Sequence, residues 1–153
     1  MTACQQADIF LVPLLDGAFG LGQVIIAPDD RRDTPYWPAG AAFCLLTARH
    51  VTRSAATVPV SQRDIISRQF IDAGVIGTDI WPVIGFEQLP PVAADPDQIA
   101  LRHDVTPIDA PIIEAFLNAC HGLFPWDGFP DPAFFDAMLA AGVDRPPRAT
   151  MAK

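Results

Sequence analysis

Apolar residues in the first half of the chain fall in short β-prone runs separated by turn signals. In the second half they recur at helical spacing. Asp8-Ile9-Phe10-Leu11-Val12-Pro13-Leu14 is one such run, Asp16-Gly17 follows it, and Phe19 to Ala27 is the next. An Asp-Gly pair supplies the positive φ angles of a tight turn, so the two runs predict a β-hairpin. Gly20 and Gly22 lie two apart and share one face of the second strand. A strand that gives up two side chains on one face is bent, bulged or closely approached by other backbone.

Pro28 to Gly40, with two adjacent acids, two arginines and further prolines, reads as a long surface loop carrying Tyr36 and Trp37. A third strand is expected over Ala42–Arg49. Phe43, Leu45 and Thr47 would lie on one face, and Cys44, Leu46 and Ala48 on the other. Apolar groups on both faces place it inside a sheet. Residues 51–79 fit two readings, because Ile65, Ile66, Phe70 and Ile71 suit a short helix as well as strands. Trp81 to Phe86 predicts a short strand, and Pro82 puts it at an edge or a bulge.

Leu89 to Pro107 is a connector rich in Pro and Asp, after which the period changes. Ile112, Ile113, Phe116, Leu117 and Cys120 mark one face of a helix over 111–119. Asp109 or Ala110 would cap its start, with Gly122 just past its end. Asp131 as N-cap, Pro132 in the first position and Gly142 beyond the last turn predict a second helix. Its stripe would be Phe134, Phe135, Met138 and Leu139. The expected fold is α+β: a small curled antiparallel sheet of SH3-like kind, with a C-terminal helical pair. At 153 residues the chain reads as one domain, with a β part at 7–87, a connector at 88–107, a helical part at 108–142 and a tail at 143–153. A chain of this size buries roughly 68% of its unfolded surface, enough for a core without metal or disulfide staples.

Charge narrows the partners. The chain has 18 acids against 10 bases. Residues 88–144 hold nine acids with Arg102 as the sole base. Nucleic acid would be repelled and a basic protein attracted. No run of 18 apolar residues predicts a membrane span. The first residues lack the basic flank and apolar stretch of a signal peptide, so Cys4, Cys44 and Cys120 read as free thiols of a reducing cytoplasm.

Chemical motifs are sparse. Gly17-x-x-Gly20-x-Gly22 has the glycines in the wrong order for a dinucleotide fingerprint, and a strand follows where a helix is needed. Cys120 and His121 are neighbours, but neighbours on a helix point about 100° apart, and Cys120 already continues the apolar stripe. His50, His103 and His121 never fall at helical zinc-pair spacing. His103-Asp104 is a single imidazole–carboxylate dipeptide. Asp95-x-Asp97 and the Asp127/Asp131 pair lack the Gly and Glu positions of a calcium loop. No catalytic, cofactor or metal residue is therefore assigned. The candidate partner-binding residues are Phe124, Trp126, Asp127, Phe129 and Asp131, aromatic anchors amid carboxylates. Against that stands the reading of Trp126 and its neighbours as a plug between sheet and helices.

The run from Asp8 through Asp16-Gly17-Ala18-Phe19-Gly20-Leu21-Gly22-Gln23-Val24 resembles the opening hairpin of the immunity protein 26 family. Trp81-Pro82-Val83-Ile84-Gly85 is similar to a short strand of the same family. Ala7 stands where those proteins usually have Gly. The two matches cover under a fifth of the chain. The resemblance implies function by binding: a cytoplasmic inhibitor that neutralises a cognate toxin, with a basic nuclease the best electrostatic match. It brings no catalytic residues with it. Two other classes are a small enzyme or ligand-binding domain, using Asp127 and a fold-assembled histidine in a pocket between sheet and helices, and a structural subunit marked by stable homo-oligomers.

Overall fold

The computed structural model describes residues 4–30, 34–91 and 106–152. Five strands form one antiparallel sheet: β1 (Asp8–Pro13), β2 (Phe19–Ile26), β3 (Ala41–Thr47), β4 (Ile65–Asp72) and β5 (Val83–Phe86). Two helices follow, α1 (Ala110–Cys120) and α2 (Phe134–Met138). The strand order is β4-β3-β2-β1-β5, so the first four strands form a meander and the fifth returns to pair with the first. The α+β class is the one expected. His103, Asp104, Asp95 and Asp97, with most of the 88–107 connector, lie outside the described residues.

Both faces of the sheet are buried. Phe10, Val12, Val24, Cys44 and Leu46 face α1, where Ile113, Phe116 and Leu117 meet them. Ile9, Leu11, Leu21, Phe43 and Leu45 face the other way, under Trp37 and Val60 from the loops. Every residue of β3 is buried, which is why its sequence alternates between two apolar sets rather than between apolar and polar. Trp37 is itself core, its indole N–H donating to the Ala41 carbonyl at 3.0 Å and its ring edge-on to Phe70.

The ambiguous stretch 51–79 contains β4. Its apolar residues cluster at the two ends of the strand, a pattern compatible with a helix, and pairing along β3 decides the matter. The second helix is shorter than its punctuation suggests. It spans Phe134–Met138 instead of running from Pro132, behind an Asp131 N-cap, to the turn before Gly142. The reason lies on the outer edge of β4. The Met138 carbonyl accepts from Ser67 Oγ, and the Ala140 N–H donates to the Ile66 carbonyl at 2.8 Å. Chain that would have continued the helix instead covers a strand edge. Asp131 sits before the helix, its Oδ1 accepting from Ala133 N at 2.9 Å as a local turn rather than as the N-cap.

Gly22 is closely approached, as its sequence position predicts. A Cβ there would lie 2.8 Å from the Leu45 carbonyl oxygen and would strike the ring of Phe10, its cross-strand partner. At Gly20 the neighbour would be Leu117 Cδ1 of α1, 3.0 Å away. Backbone cannot retreat, whereas a leucine methyl can. Gly22→Ala should therefore lower stability by about 1–3 kcal/mol, and Gly20→Ala by clearly less, in urea unfolding of the two variants. Equal midpoints would show that Phe10 and Leu45 do not crowd this strand.

Ala7 is the one described non-glycine residue with positive φ, at 75°. It is held there by Ala7 N–H donating to the Val24 carbonyl at 2.7 Å, and by its own carbonyl accepting from Gln23 Nε2 and Glu87 N. Glycine would fit this geometry without steric cost. Ala7→Gly should raise stability by about 0.5–1 kcal/mol, the left-handed strain relieved less the added chain entropy of glycine. A lower melting temperature would mean that the strain is absent.

Candidate functional site

The five residues proposed for partner binding share one loop between α1 and α2 but not one environment. Trp126 is 1% exposed. Its ring contacts Phe116 at 5.7 Å and Phe135 at 5.5 Å between centroids, and Phe124 and Phe129 pack on Phe135 from the outside, both only partly buried. The indole N–H of Trp126 donates to Asp136 Oδ1 at 2.8 Å. Arg145 pairs with the same carboxylate at 3.2 Å and lies 6.0 Å over the indole ring. The tryptophan thus plugs the gap between the sheet-facing side of α1 and the C-terminal segment. Asp131 is exposed and Asp127 half-buried.

The C-terminal tail explains Asp127. Trp126 N–H donates to the Thr150 carbonyl at 2.7 Å, and Asp127 Oδ1 accepts from the Ala152 N–H at 2.6 Å. Gly122, at φ +75°, ends α1 in the left-handed conformation, where a Cβ would meet the Arg148 carbonyl at 2.6 Å. The tail is therefore strapped across the loop. Among the described residues, the Asp127 carboxylate is bonded to the tail, not to a histidine assembled beside it.

A second constellation escaped the sequence reading. His50 and His121, 71 positions apart, come together with their rings edge-to-face and centroids 5.2 Å apart. His50 Nε2 bonds Asp16 Oδ2 at 2.7 Å at the tip of the β1–β2 hairpin. That bond holds the Asp16 carboxyl below its usual range. His121 is 5% exposed, and its Nε2 has no hydrogen-bond partner. Beside it, buried Asn118 accepts from Leu15 N–H at 2.7 Å and donates to the Glu114 carbonyl at 2.8 Å. Only the two positions of His121 and Asn118 at the end of a helix hinted at a polar site there.

The cysteines are all free and buried. Burial pushes the Cys120 thiol up to about 12, and the Cys4 thiol up to about 11. Neither is a nucleophile at neutral pH, since the thiolate is the reactive form. Cys120 packs in the core while the adjacent His121 meets His50. Among the described residues, no three His, Cys, Asp or Glu converge to hold a metal ion.

Nothing matches in the comparisons. Family models, curated proteins and solved structures all give no match to this chain. The resemblance to immunity protein 26 sequences rests on the run from Asp8 to Val24 and on Trp81 to Gly85 alone.

Exposed large apolar side chains lie at the hairpin tip (Leu15), in loops (Tyr36, Val58), in the tail (Met151) and at the sheet edge. Phe86 is 74% exposed and Ile80 59%, at either end of the segment that forms β5. Phe86 pairs with Asp8 across the strands and precedes Glu87. For the loop, the burial of Trp126 sets the expectation. Trp126→Ala should cost about 3–5 kcal/mol in thermal or urea unfolding. Asp131→Asn, at an exposed position with its Oδ1 retained, should stay within about 0.5 kcal/mol of the parent. A Trp126→Ala variant of parental stability would show that the ring is not part of the core.

Proposed function

We propose that this chain is an immunity protein of the kind its hairpin resembles: a cytoplasmic inhibitor that binds a cognate bacterial toxin and neutralises it. Phe86 carries the reading. A large ring left in water on a sheet edge, opposite Asp8 and beside Glu87, has the composition of an interface anchor within a charged rim. The described residues bear 14 acids and six bases. Two arginine–carboxylate pairs, Arg49–Asp64 and Arg145–Asp136, and the His50–Asp16 hydrogen bond engage few of those carboxylates. The field outside the molecule is therefore negative, which favours a basic protein such as a nuclease and speeds its encounter.

Trp126 has a supporting part in this reading. Buried, it holds the loop that presents Asp127, Asp131, Phe124 and Phe129, and those four form a second contact surface. Among the described residues, no helix is long and apolar enough to cross a membrane.

The test begins with the reading frames beside the gene. A secreted-toxin domain encoded there should co-purify with this chain, and its association rate should fall as salt rises. Phe86→Ala should then raise the dissociation rate about tenfold, a loss of roughly 1.4 kcal/mol. Asp131→Asn should slow association and blunt the salt dependence while leaving dissociation near the parent's. Parental dissociation for Phe86→Ala would move the interface off the sheet edge. A neighbouring toxin that neither binds nor is neutralised would overturn the function.

A further inference from the structure

Four separate stretches of chain meet at the hairpin tip, and one buried histidine lies between them. Leu15 and Asp16 come from the tip, Arg49 and His50 from the segment after β3, Asn118 and His121 from the end of α1, and Arg148 from the tail. The contacts that close the junction are directional. Leu15 N–H donates to Asn118 Oδ1 at 2.7 Å, and His50 reaches Asp16 at 2.7 Å. Val51 and Phe19 exchange backbone hydrogen bonds at 2.9 Å, which ties the His50 segment to the start of β2. His121 sits beneath, 5% exposed, with Nε2 unpartnered and the His50 ring 5.2 Å away.

We propose that this junction is a pH-sensitive latch, closed while His121 is neutral and opened by protonation of His121, which releases the hairpin tip from α1. A neutral imidazole can leave the Nε2 lone pair without a donor in a buried site at modest cost. An imidazolium there would carry a buried N–H with no acceptor. The groups around it decide the sign. Burial opposes the charge first, and His50 and Arg148 add repulsion. Asp16 and the Arg49 backbone carbonyl act the other way without reversing the balance, so His121 titrates below its usual range. Since the folded state resists a proton that the unfolded or opened state accepts, closure is unpenalised above about pH 6.5 and weakens as pH falls through that value. Asp16, held below its own usual range, would release stability only in a lower window, under about pH 4. The two effects are therefore separable. Opening the tip need not unfold the sheet, because local and global stability differ.

The experiment compares the whole chain with His121→Gln, which keeps a polar side chain and cannot titrate. Amide hydrogen exchange is read at Leu15 and at a mid-sheet amide such as Leu45, at pH 7.5 and pH 5.0, and corrected for intrinsic exchange. The parent should lose at least threefold protection at Leu15 on acidification while Leu45 holds, and His121→Gln should show no such loss. Leu15 protection that is unchanged in the parent, or lost equally in the variant, would overturn the latch. If the variant does not fold, the ring protons of His121 in the parent supply the decision by NMR titration. A midpoint below 6.5, moving together with the Leu15 amide shift, supports the proposal, and a midpoint at or above 6.5 defeats it. These readouts need no toxin, so the latch stands or falls apart from the proposed function.

Discussion

The fold depends on a missing side chain. Gly22 has no Cβ, so the ring of Phe10 can lie across β2 where a methyl group would block it. Lying there, Phe10 stacks on Trp81 with centroids 5.6 Å apart and ring planes 5° from parallel. The Trp81 indole N–H in turn donates to Glu114 Oε2 of α1 at 2.8 Å. One gap in β2 thus sets the position of β1's largest side chain, the entry to β5 and the rotation of α1. Gly20 completes the seat by letting Leu117 come down on the same face. Side chains in a close-packed core occupy discrete arrangements, so a filled gap would shift several elements together.

The helical half is held by a different device. Six aromatic rings, Phe116, Phe124, Trp126, Phe129, Phe134 and Phe135, contact one another in a chain around Phe135. With α2 only five residues long, helix propensity contributes little, because so short a helix is unstable alone. Ring packing and the strapped tail replace it. The same economy is visible at β4, whose outer edge is covered by Ile108 bonded to Phe70 and Asp72 and by Ala140 bonded to Ile66.

Much of this was legible in the residues, and what was not has a physical cause. Asp16-Gly17 and the flanking apolar runs mark the hairpin because turn and strand signals are local. Gly20 and Gly22 announced a close approach without naming what approaches. Residues 65–72 were open between helix and strand, since both faces of a two-sided strand carry apolar groups and its period-2 signal disappears. α2 was overextended at both ends: Asp131 makes a local turn instead of the N-cap, and the C-terminal end is set by β4, some 70 residues earlier in the chain. Trp126 could be read as anchor or plug because aromatic composition is shared by interfaces and cores. His50 and His121 could not be paired from spacing at all: their meeting belongs to tertiary structure.

Burial on both faces of the sheet limits where recognition can occur. A typical antiparallel sheet packs one face and leaves the other to solvent, and that free face is a natural binding platform. Here loops carrying Trp37 and Val60 occupy it. Recognition is left to edges, turns and loop exteriors. Of the two edges, β4 is covered by backbone from Ile108 and Ala140, whereas β5 is terminal in the sheet and carries Phe86 outward. β5 is also short, bulged against β1 between Ile9 and Phe10, and preceded by Pro82. Those are the devices by which proteins discourage indiscriminate strand pairing. An edge so restricted invites contact through its side chains more than through its backbone. On this edge, the proposed recognition would rest on the Phe86 side chain and the carboxylates beside it.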